Sequence, residues 1–249
     1  MNILLIGATG SMGKTVEEIC SESKDFKIVA GIGLNDGKDH KYPIYSNFSN
    51  VKENCDVILD FSNHNLITDI LNYAIKIKKP LVISTTGYTD KQVEEIENAS
   101  NYIPILFSGN MSLGINILLK VVENLSKSLL DFDIEIIEKH HKLKKDSPSG
   151  TARMLFNSVN LGRDNELIEK YGREGTNLER ANNEVGIHSV RGGTIVGEHT
   201  VLFSGEDEIL EVTHKAQSKK IFAFGALKAC KFIIEKENNL YSMRDIFDF

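Results

Sequence analysis

The sequence predicts an α/β protein, with an N-terminal Rossmann-type parallel sheet and a second α+β domain of mixed or antiparallel sheet. Three observations lead there. Short apolar strands alternate with amphipathic helices through the first half of the chain. A glycine-rich turn separates the first strand from the first helix. From Asp133 onward the strands instead alternate polar and apolar residues, as half-buried strands do.

Asn2 to Ile6 is an apolar run ending at a glycine, as a buried parallel strand would. A helix follows from Met12 to about Ser23, with Val16, Ile19 and Cys20 inward. Phe26 to Ile32 and Asp56 to Phe61 read as the second and third strands, and Asn65 to Lys79 carries helical apolar spacing. Pro80 to Ser84 is a fourth strand. Thr89 and Gln92 form a capping box for a helix ending near Asn101, and Ile105 to Phe107 is a fifth strand. A longer helix, Ser112 to Leu130, leads into the strand beginning at Asp133. Val185 to Arg191 and Thr194 to Phe203 flank Gly192-Gly193, which reads as a hairpin turn, and Glu208 to His214 adds a further strand. The helix Ala223 to Lys236 is expected to return to the first domain. The domains are thus placed at 1–110 with 222–249, for the dinucleotide, and at 111–221, for substrate and oligomerisation.

With 249 residues, 41% hydrophobic and 26% charged, the chain has material for two cores. A net charge of -6 disfavours nucleic acid as a partner. No apolar run approaches the ~20 residues that span a bilayer, so no membrane partner is expected. Met1 leads straight into the first strand without a basic leader, which points to the cytoplasm. Cys20, Cys55 and Cys230 are widely spaced and form no CxxC pair, so buried free thiols are expected rather than disulfides or a zinc site.

Gly7-Ala8-Thr9-Gly10-Ser11-Met12-Gly13 spells GxxGxxG between strand and helix. Glycines let backbone approach a pyrophosphate, and the helix start offers N–H groups and a positive dipole end. A glycine turn alone occurs in many folds; its place between the first strand and first helix makes this one a dinucleotide site. The second strand of such a unit usually ends in an acid that binds ribose hydroxyls. Gly33 stands there, with Asn35 and Asp36 beyond it and Lys38 as the nearest cation, so the expectation is weak discrimination between NADH and NADPH. Asp60-Phe61-Ser62 and Ser84-Thr85-Thr86-Gly87 close two further strands on the same edge.

The densest polar stretch runs from Glu138 to Ala152 and carries Lys139, His140, His141, Lys142, Lys144 and Lys145. In an acidic protein it is a local well for anions. An ordinary charge run would be a solvated loop, but three details set this one apart. Adjacent histidines at a strand end point to opposite faces, so they do not share a metal and one is free to donate a proton. Lys144 sits in a loop that folds back. Pro148-Ser149-Gly150-Thr151 opens a helix whose donors suit a small carboxylate. No GxSxG, HExxH or Walker lysine motif occurs, and no tyrosine is followed four residues later by lysine.

The stretch Glu138 to Ala152 reproduces E-x-H-H-x-x-K-x-D-x-P-S-G-T-A and so resembles the 4-hydroxy-tetrahydrodipicolinate (dihydrodipicolinate) reductase family. The resemblance covers nearly the whole chain. It includes GxxGxxG, Asp60-Phe61-Ser62, Thr85-Thr86-Gly87, Asn110 to Gly114, Val190 to Gly193, Val196 to Thr200 and Met243-Arg244-Asp245. It implies NADH- or NADPH-dependent reduction of a cyclic dicarboxylate to tetrahydrodipicolinate, in lysine and diaminopimelate biosynthesis, by a homotetramer that closes around its ligands. His140 would be the catalytic acid and Lys144 a second donor or charge stabiliser. His141, Lys144, Ser149, Gly150 and Thr151 would hold carboxylates. Gly7, Gly10, Ser11, Met12 and Gly13 would line the pyrophosphate, and Phe61, Thr85, Thr86 and Gly87 the nicotinamide side. Ser108, Asn110 and Met111 would contact the cofactor where the halves join. Pyridine-2,6-dicarboxylate, a flat analogue, is the expected competitive ligand.

A dehydrogenase of another amino or semialdehyde acid, or a dinucleotide sensor without catalysis, are the competing readings. The Pro-Ser-Gly-Thr segment opposes the first; His140 and Lys144 oppose the second. His199 is expected to pack structurally, His40 and His64 receive no role, and Glu198 is a candidate cross-strand partner of Arg191.

Overall fold

In a computed structural model, residues 1–34, 36–37 and 39–247 are described. Asn35 and Lys38, weighed above for cofactor preference, lie outside them. The chain divides into two compact units: Met1–Leu113 with Lys219–Phe249, and Gly114–Ser218.

The first unit is built from β1 (Asn2–Ile6), α1 (Ser11–Glu22), β2 (Lys27–Ile32), β3 (Ile44–Tyr45), β4 (Val57–Asp60), α2 (Ile67–Ile77), β5 (Leu81–Ile83), α3 (Asp90–Ala99) and β6 (Ile105–Phe107). The second unit takes α4 (Leu113–Ser128), β7 (Asp133–His140), α5 (Gly150–Leu161), β8 (Ile168–Tyr171), β9 (Glu184–Arg191), β10 (Gly197–Ser204) and β11 (Ile209–Ala216). The chain then returns with α6 (Lys220–Ile233) and β12 (Leu240–Tyr241).

Seven strands of the first unit form a parallel sheet in the order β12-β6-β5-β4-β1-β2-β3. The strand order reverses at β1, with β2 on one side and β4 on the other. In parallel α/β sheets that reversal opens a crevice at the strands' carboxyl ends. Both faces are covered, which is why the strands read as continuous apolar runs. Helices α1 and α6 share one core with Leu5, Leu59, Val82 and Leu106; Ile70 and Ala74 of α2 and Ile96 of α3 lie in the core of the other face. Cys20 and Cys230 are free thiols in the first core and Cys55 in the second; burial raises all three, Cys20 to about 11.

The second sheet is mixed, in the order β11-β10-β7-β9-β8. Strand β9 runs parallel to β7, and β10 runs antiparallel to it on the other side. The hairpin expected at Gly192-Gly193 does not form. Strands β9 and β10 flank β7 instead of pairing, and the glycine turn crosses the end of β7, with Gly192 N–H donating to His140 O. The short strands β3, β8 and β12 are absent from the sequence expectation. Two are only two residues long, and β8 is an edge strand with hardly a buried side chain, so none carries a periodic signal. No helix among the described residues is long and apolar enough to cross a membrane.

Arg163, just past α5, closes the C-terminus of α4. Its guanidinium donates to the carbonyl of Ser126 in the last turn of α4 and to those of Leu129, Leu130 and Phe132 in the segment that follows. Replacing Arg163 by alanine should lower unfolding free energy by ~1–3 kcal/mol, since several charge-assisted bonds to carbonyls are lost together. Urea denaturation of the two proteins measures it, and an unchanged midpoint would contradict this capping role.

Candidate active site

The glycine turn of the first unit is shaped by close approach. Gly7 has φ +79°, and a Cβ there would stand 2.3 Å from the Phe61 carbonyl oxygen. A Cβ on Gly13 would meet the carbonyls of Gly7 and Ala8 at 2.3 and 2.4 Å, so helix α1 packs directly on the turn. The amides of Gly7 and Ala8 both donate to Ile32 O, which ties the turn to the end of β2. Gly10 is the N-cap of α1 and supplies no side-chain hydrogen bond, and no acid occupies the first helical turn. The start of α1 is therefore an exposed set of donors without a competing carboxylate, which fits a pyrophosphate.

Phe61, Thr85 and Gly87 follow the ends of β4 and β5 on this same edge. Behind them Asp60 is fully buried. Burial raises its carboxyl, while hydrogen bonds from the Ser62 hydroxyl and amide oppose the rise. Ser108 Oγ donates to Asn110 O, and Ser112 N–H donates to Asn110 Oδ1, so the segment from Ser108 to Met111 is held by its own polar groups. At the end of β2, a side chain on Gly33 would meet Thr9 Oγ1 at 2.7 Å. Thr9 occupies the place from which an acid would otherwise project. Asp36 pairs with Lys14 at 3.6 Å and with His40 at 2.9 Å, beside a cavity of about 420 Å³ that Gly33, Asp39 and Tyr42 also line.

In the second unit, β7 buries Ile134, Ile136, Glu138 and His140 in alternation. The strand's inward row thus begins as core and ends as chemistry. Glu138 is fully buried. Its Oε1 accepts from Arg191 Nη2 (2.7 Å), Ser189 Oγ (2.8 Å) and the Ser149 amide (3.1 Å). Its Oε2 accepts from Arg191 Nη1 at 2.8 Å and lies 2.6 Å from His140 Nδ1. Burial alone would raise this carboxyl; the bonds from Arg191, Ser189 and His140 outweigh it and hold Glu138 at about 2.

The loop after β7 carries His141 at partial exposure, and Lys144 Nζ reaches both carboxylate oxygens of Asp146, at 2.8 and 2.9 Å. Ser149 caps α5, its Oγ accepting from Ala152 N–H and lying 3.0 Å from His199 Nε2. Ser149 is buried, Thr151 half-buried and Gly150 exposed at the helix start. His199 is buried, edge-on to the His140 ring with centroids 5.1 Å apart; burial lowers it to about 3, so it is a neutral ring near neutral pH.

The structure therefore joins His140 and Ser149 to Glu138, with Gly150 and Thr151 next along α5 and Lys144 and His141 on the loop between. Arg191 turns to Glu138 rather than to Glu198, which pairs with Lys139 (3.4 Å) and Lys215 (3.8 Å). The expected Arg191–Glu198 pair fails because the register sets Arg191 opposite His140. Glu138, Ser189 and Arg191 received no site role from the sequence. For Glu138 a signal existed, since residues two apart on a strand share a face.

A dinucleotide-binding parallel sheet joined to a unit with a buried acid–histidine pair and a basic loop defines an oxidoreductase of the two-unit dehydrogenase class. Residues 1–111 match the family model "Dihydrodipicolinate reductase, N-terminus" and residues 114–247 match "Dihydrodipicolinate reductase, C-terminus". The 4-hydroxy-tetrahydrodipicolinate reductase of Caldanaerobacter subterraneus subsp. tengcongensis is 45% identical over 246 residues, 99% of this chain and 98% of that one. That of Clostridium novyi is 42% identical, covering 98% and 97%. The fold matches dipicolinate-bound dihydrodipicolinate reductase from Paenisporosarcina sp. TG-14 with a TM-score of 0.85, at 22% identity and 99% coverage of both chains. The chain belongs to the dihydrodipicolinate reductase family, and its activity is that family's reductase step in lysine and diaminopimelate biosynthesis.

Because Glu138 titrates far below the 4.5 of an unstructured glutamate, the unfolded chain binds the extra proton as pH falls. Its contribution to stability should be complete above pH 4.5 and vanish as pH drops toward about 2. Urea denaturation at a series of pH values reads this. Replacing Arg191 by alanine should bring the folded-state carboxyl back toward 4.5 and so shrink the stability lost below pH 4.5, and a loss of unchanged size would contradict Arg191 as the main counter-charge.

Proposed function

We propose that the chain reduces 4-hydroxy-tetrahydrodipicolinate, a small cyclic dicarboxylate, to tetrahydrodipicolinate with NADH or NADPH, releasing water. The observation that carries this reading is the buried His140–Glu138 pair set beside the start of α5 and the Lys144 loop. That arrangement offers a proton donor, a cation and helix-start donors within one short stretch of chain, which is what a dicarboxylate gaining negative charge requires.

In this reading Gly7, Gly10, Ser11, Met12 and Gly13 hold the pyrophosphate. Phe61, Thr85, Thr86 and Gly87 flank the nicotinamide, with Ser108, Asn110 and Met111 further along. The cofactor supplies hydride. Lys144 leaves Asp146 for a substrate carboxylate, and His141, Ser149, Gly150 and Thr151 hold the carboxylates. His140 delivers the proton that balances the added hydride, and Lys144 steadies the charge that builds on the ring. Dipicolinate in the Paenisporosarcina relative supports a flat dicarboxylate as ligand.

Asp36 suits a ribose hydroxyl while Lys14, paired with it, suits a phosphate, so the two cofactors should differ little. The open face of the second sheet, with Ile137, Thr200 and Leu202, is the face through which a homotetramer forms. The enzyme works in the cytoplasm.

The test uses the condensation product of pyruvate and aspartate semialdehyde, made in situ. NADH and NADPH should both be oxidised, only when both precursors are present, with KM values within about a hundredfold of each other. His140→Asn and Lys144→Ala should each lower kcat by ~100- to 10,000-fold, the usual worth of a placed proton donor or charge. Full turnover in either variant would remove that residue from its assigned role. No oxidation with either cofactor, while both bind, would move the reaction to another acid substrate.

A further inference from the structure

We propose that Glu138 is a positioning residue for the reduction: it fixes the tautomer of His140 so that the proton leaves from Nε2, and Gly197 keeps that nitrogen accessible. The inference rests on the reading of His140 as proton donor.

Hydrogen-bond arithmetic at Glu138 carries it. The two arginine nitrogens of Arg191 and the Ser149 amide are donors that cannot reverse. An ionised carboxylate accepts only, so the hydrogen shared with His140 across 2.6 Å sits on Nδ1. The neutral ring therefore has a bare Nε2, and the protonated ring carries its second hydrogen there. Release from Nε2 leaves the ring in the tautomer Glu138 already holds, with no rearrangement.

The surroundings of Nε2 agree. A Cβ on Gly197 would stand 3.1 Å from Nε2 and 3.4 Å from Cδ2, tighter than ordinary contact, so a side chain there would crowd the releasing nitrogen. His199 packs edge-on against the same ring and limits its rotation. Glu138 and Gly197 thus act on opposite ends of one imidazole, one setting where the hydrogen stays and the other where it leaves.

Glutamine at 138 keeps the shape and changes one acceptor into a donor. On the Oε1 side its amide would face Arg191 Nη2 and the Ser149 N–H, neither of which can adapt. On the Oε2 side it would face one fixed donor, Arg191 Nη1, rather than two, and His140, which adapts by moving its hydrogen to Nε2. Glu138→Gln should therefore invert the His140 tautomer.

The measurement is nitrogen-15 NMR of labelled histidines in the full chain, followed through pH, with His140→Asn used to assign the ring. In the natural protein the neutral ring should carry its hydrogen on Nδ1; in Glu138→Gln it should carry it on Nε2. The kcat of Glu138→Gln should fall at least about tenfold, as when a histidine's orienting carboxylate is neutralised, with NADH affinity unchanged. Gly197→Ala should lower kcat while leaving the tautomer as it is. A natural-protein ring with its hydrogen on Nε2 would overturn the inference, even if Glu138→Gln could not fold. So would unchanged kcat in Glu138→Gln beside an inactive His140→Asn, and that outcome would spare the proton-donor reading. An active His140→Asn would instead remove that reading and this inference with it.

Discussion

A carboxylate buried without contact with solvent is the constraint around which the second unit is organised. Removing an ion from water costs several kcal/mol unless hydrogen bonds replace its hydration. Glu138 meets that demand with donors drawn from three places: Ser189 and Arg191 on β9, the Ser149 amide at the start of α5, and His140 two residues along its own strand. Satisfying one charge therefore fixes strand register, helix start and histidine orientation together. The parallel pairing that sets Glu138 opposite Ser189 and His140 opposite Arg191 serves this purpose directly. A Gly192-Gly193 hairpin would have paired β9 with β10; instead both strands flank β7, which keeps Arg191 over Glu138.

The first unit solves a different problem by the opposite means. There the proposed dinucleotide would bring its charge from outside, and the glycine turn offers it backbone donors. Gly7 and Gly13 let the turn, the end of β4 and helix α1 approach more closely than any side chain permits. The start of α1 has neither a capping side chain nor an acid, whereas at α5 the Ser149 side chain caps the helix and its amide joins the Glu138 network.

Much of this is legible in the sequence, for identifiable reasons. Strands buried on both faces announce themselves as apolar runs, and the Thr89–Gln92 capping box reads directly from residue types and forms as expected. GxxGxxG and the Glu138–Ala152 stretch are legible as motifs because each is local in sequence. What is not legible is long-range. Arg191 lies 53 residues from Glu138, and only the sheet order brings them together. Glu198, a plausible partner for Arg191 by charge, pairs with Lys139 and Lys215 instead. Gly33 reads as a missing acid, and the contact with Thr9 that accounts for it appears only in three dimensions. His199 reads as packing, and its position against Ser149 and His140 depends on β10 lying beside β7.

The structure of this chain with NADH and pyridine-2,6-dicarboxylate bound tests the central claim most directly, that the Glu138-centred network presents a carboxylate site at the start of α5. A ligand carboxylate should lie against Gly150 and Thr151, with Lys144 released from Asp146 to meet it and His140 still paired with Glu138 through Nδ1. A dicarboxylate seated elsewhere, with Lys144 still on Asp146, would contradict it.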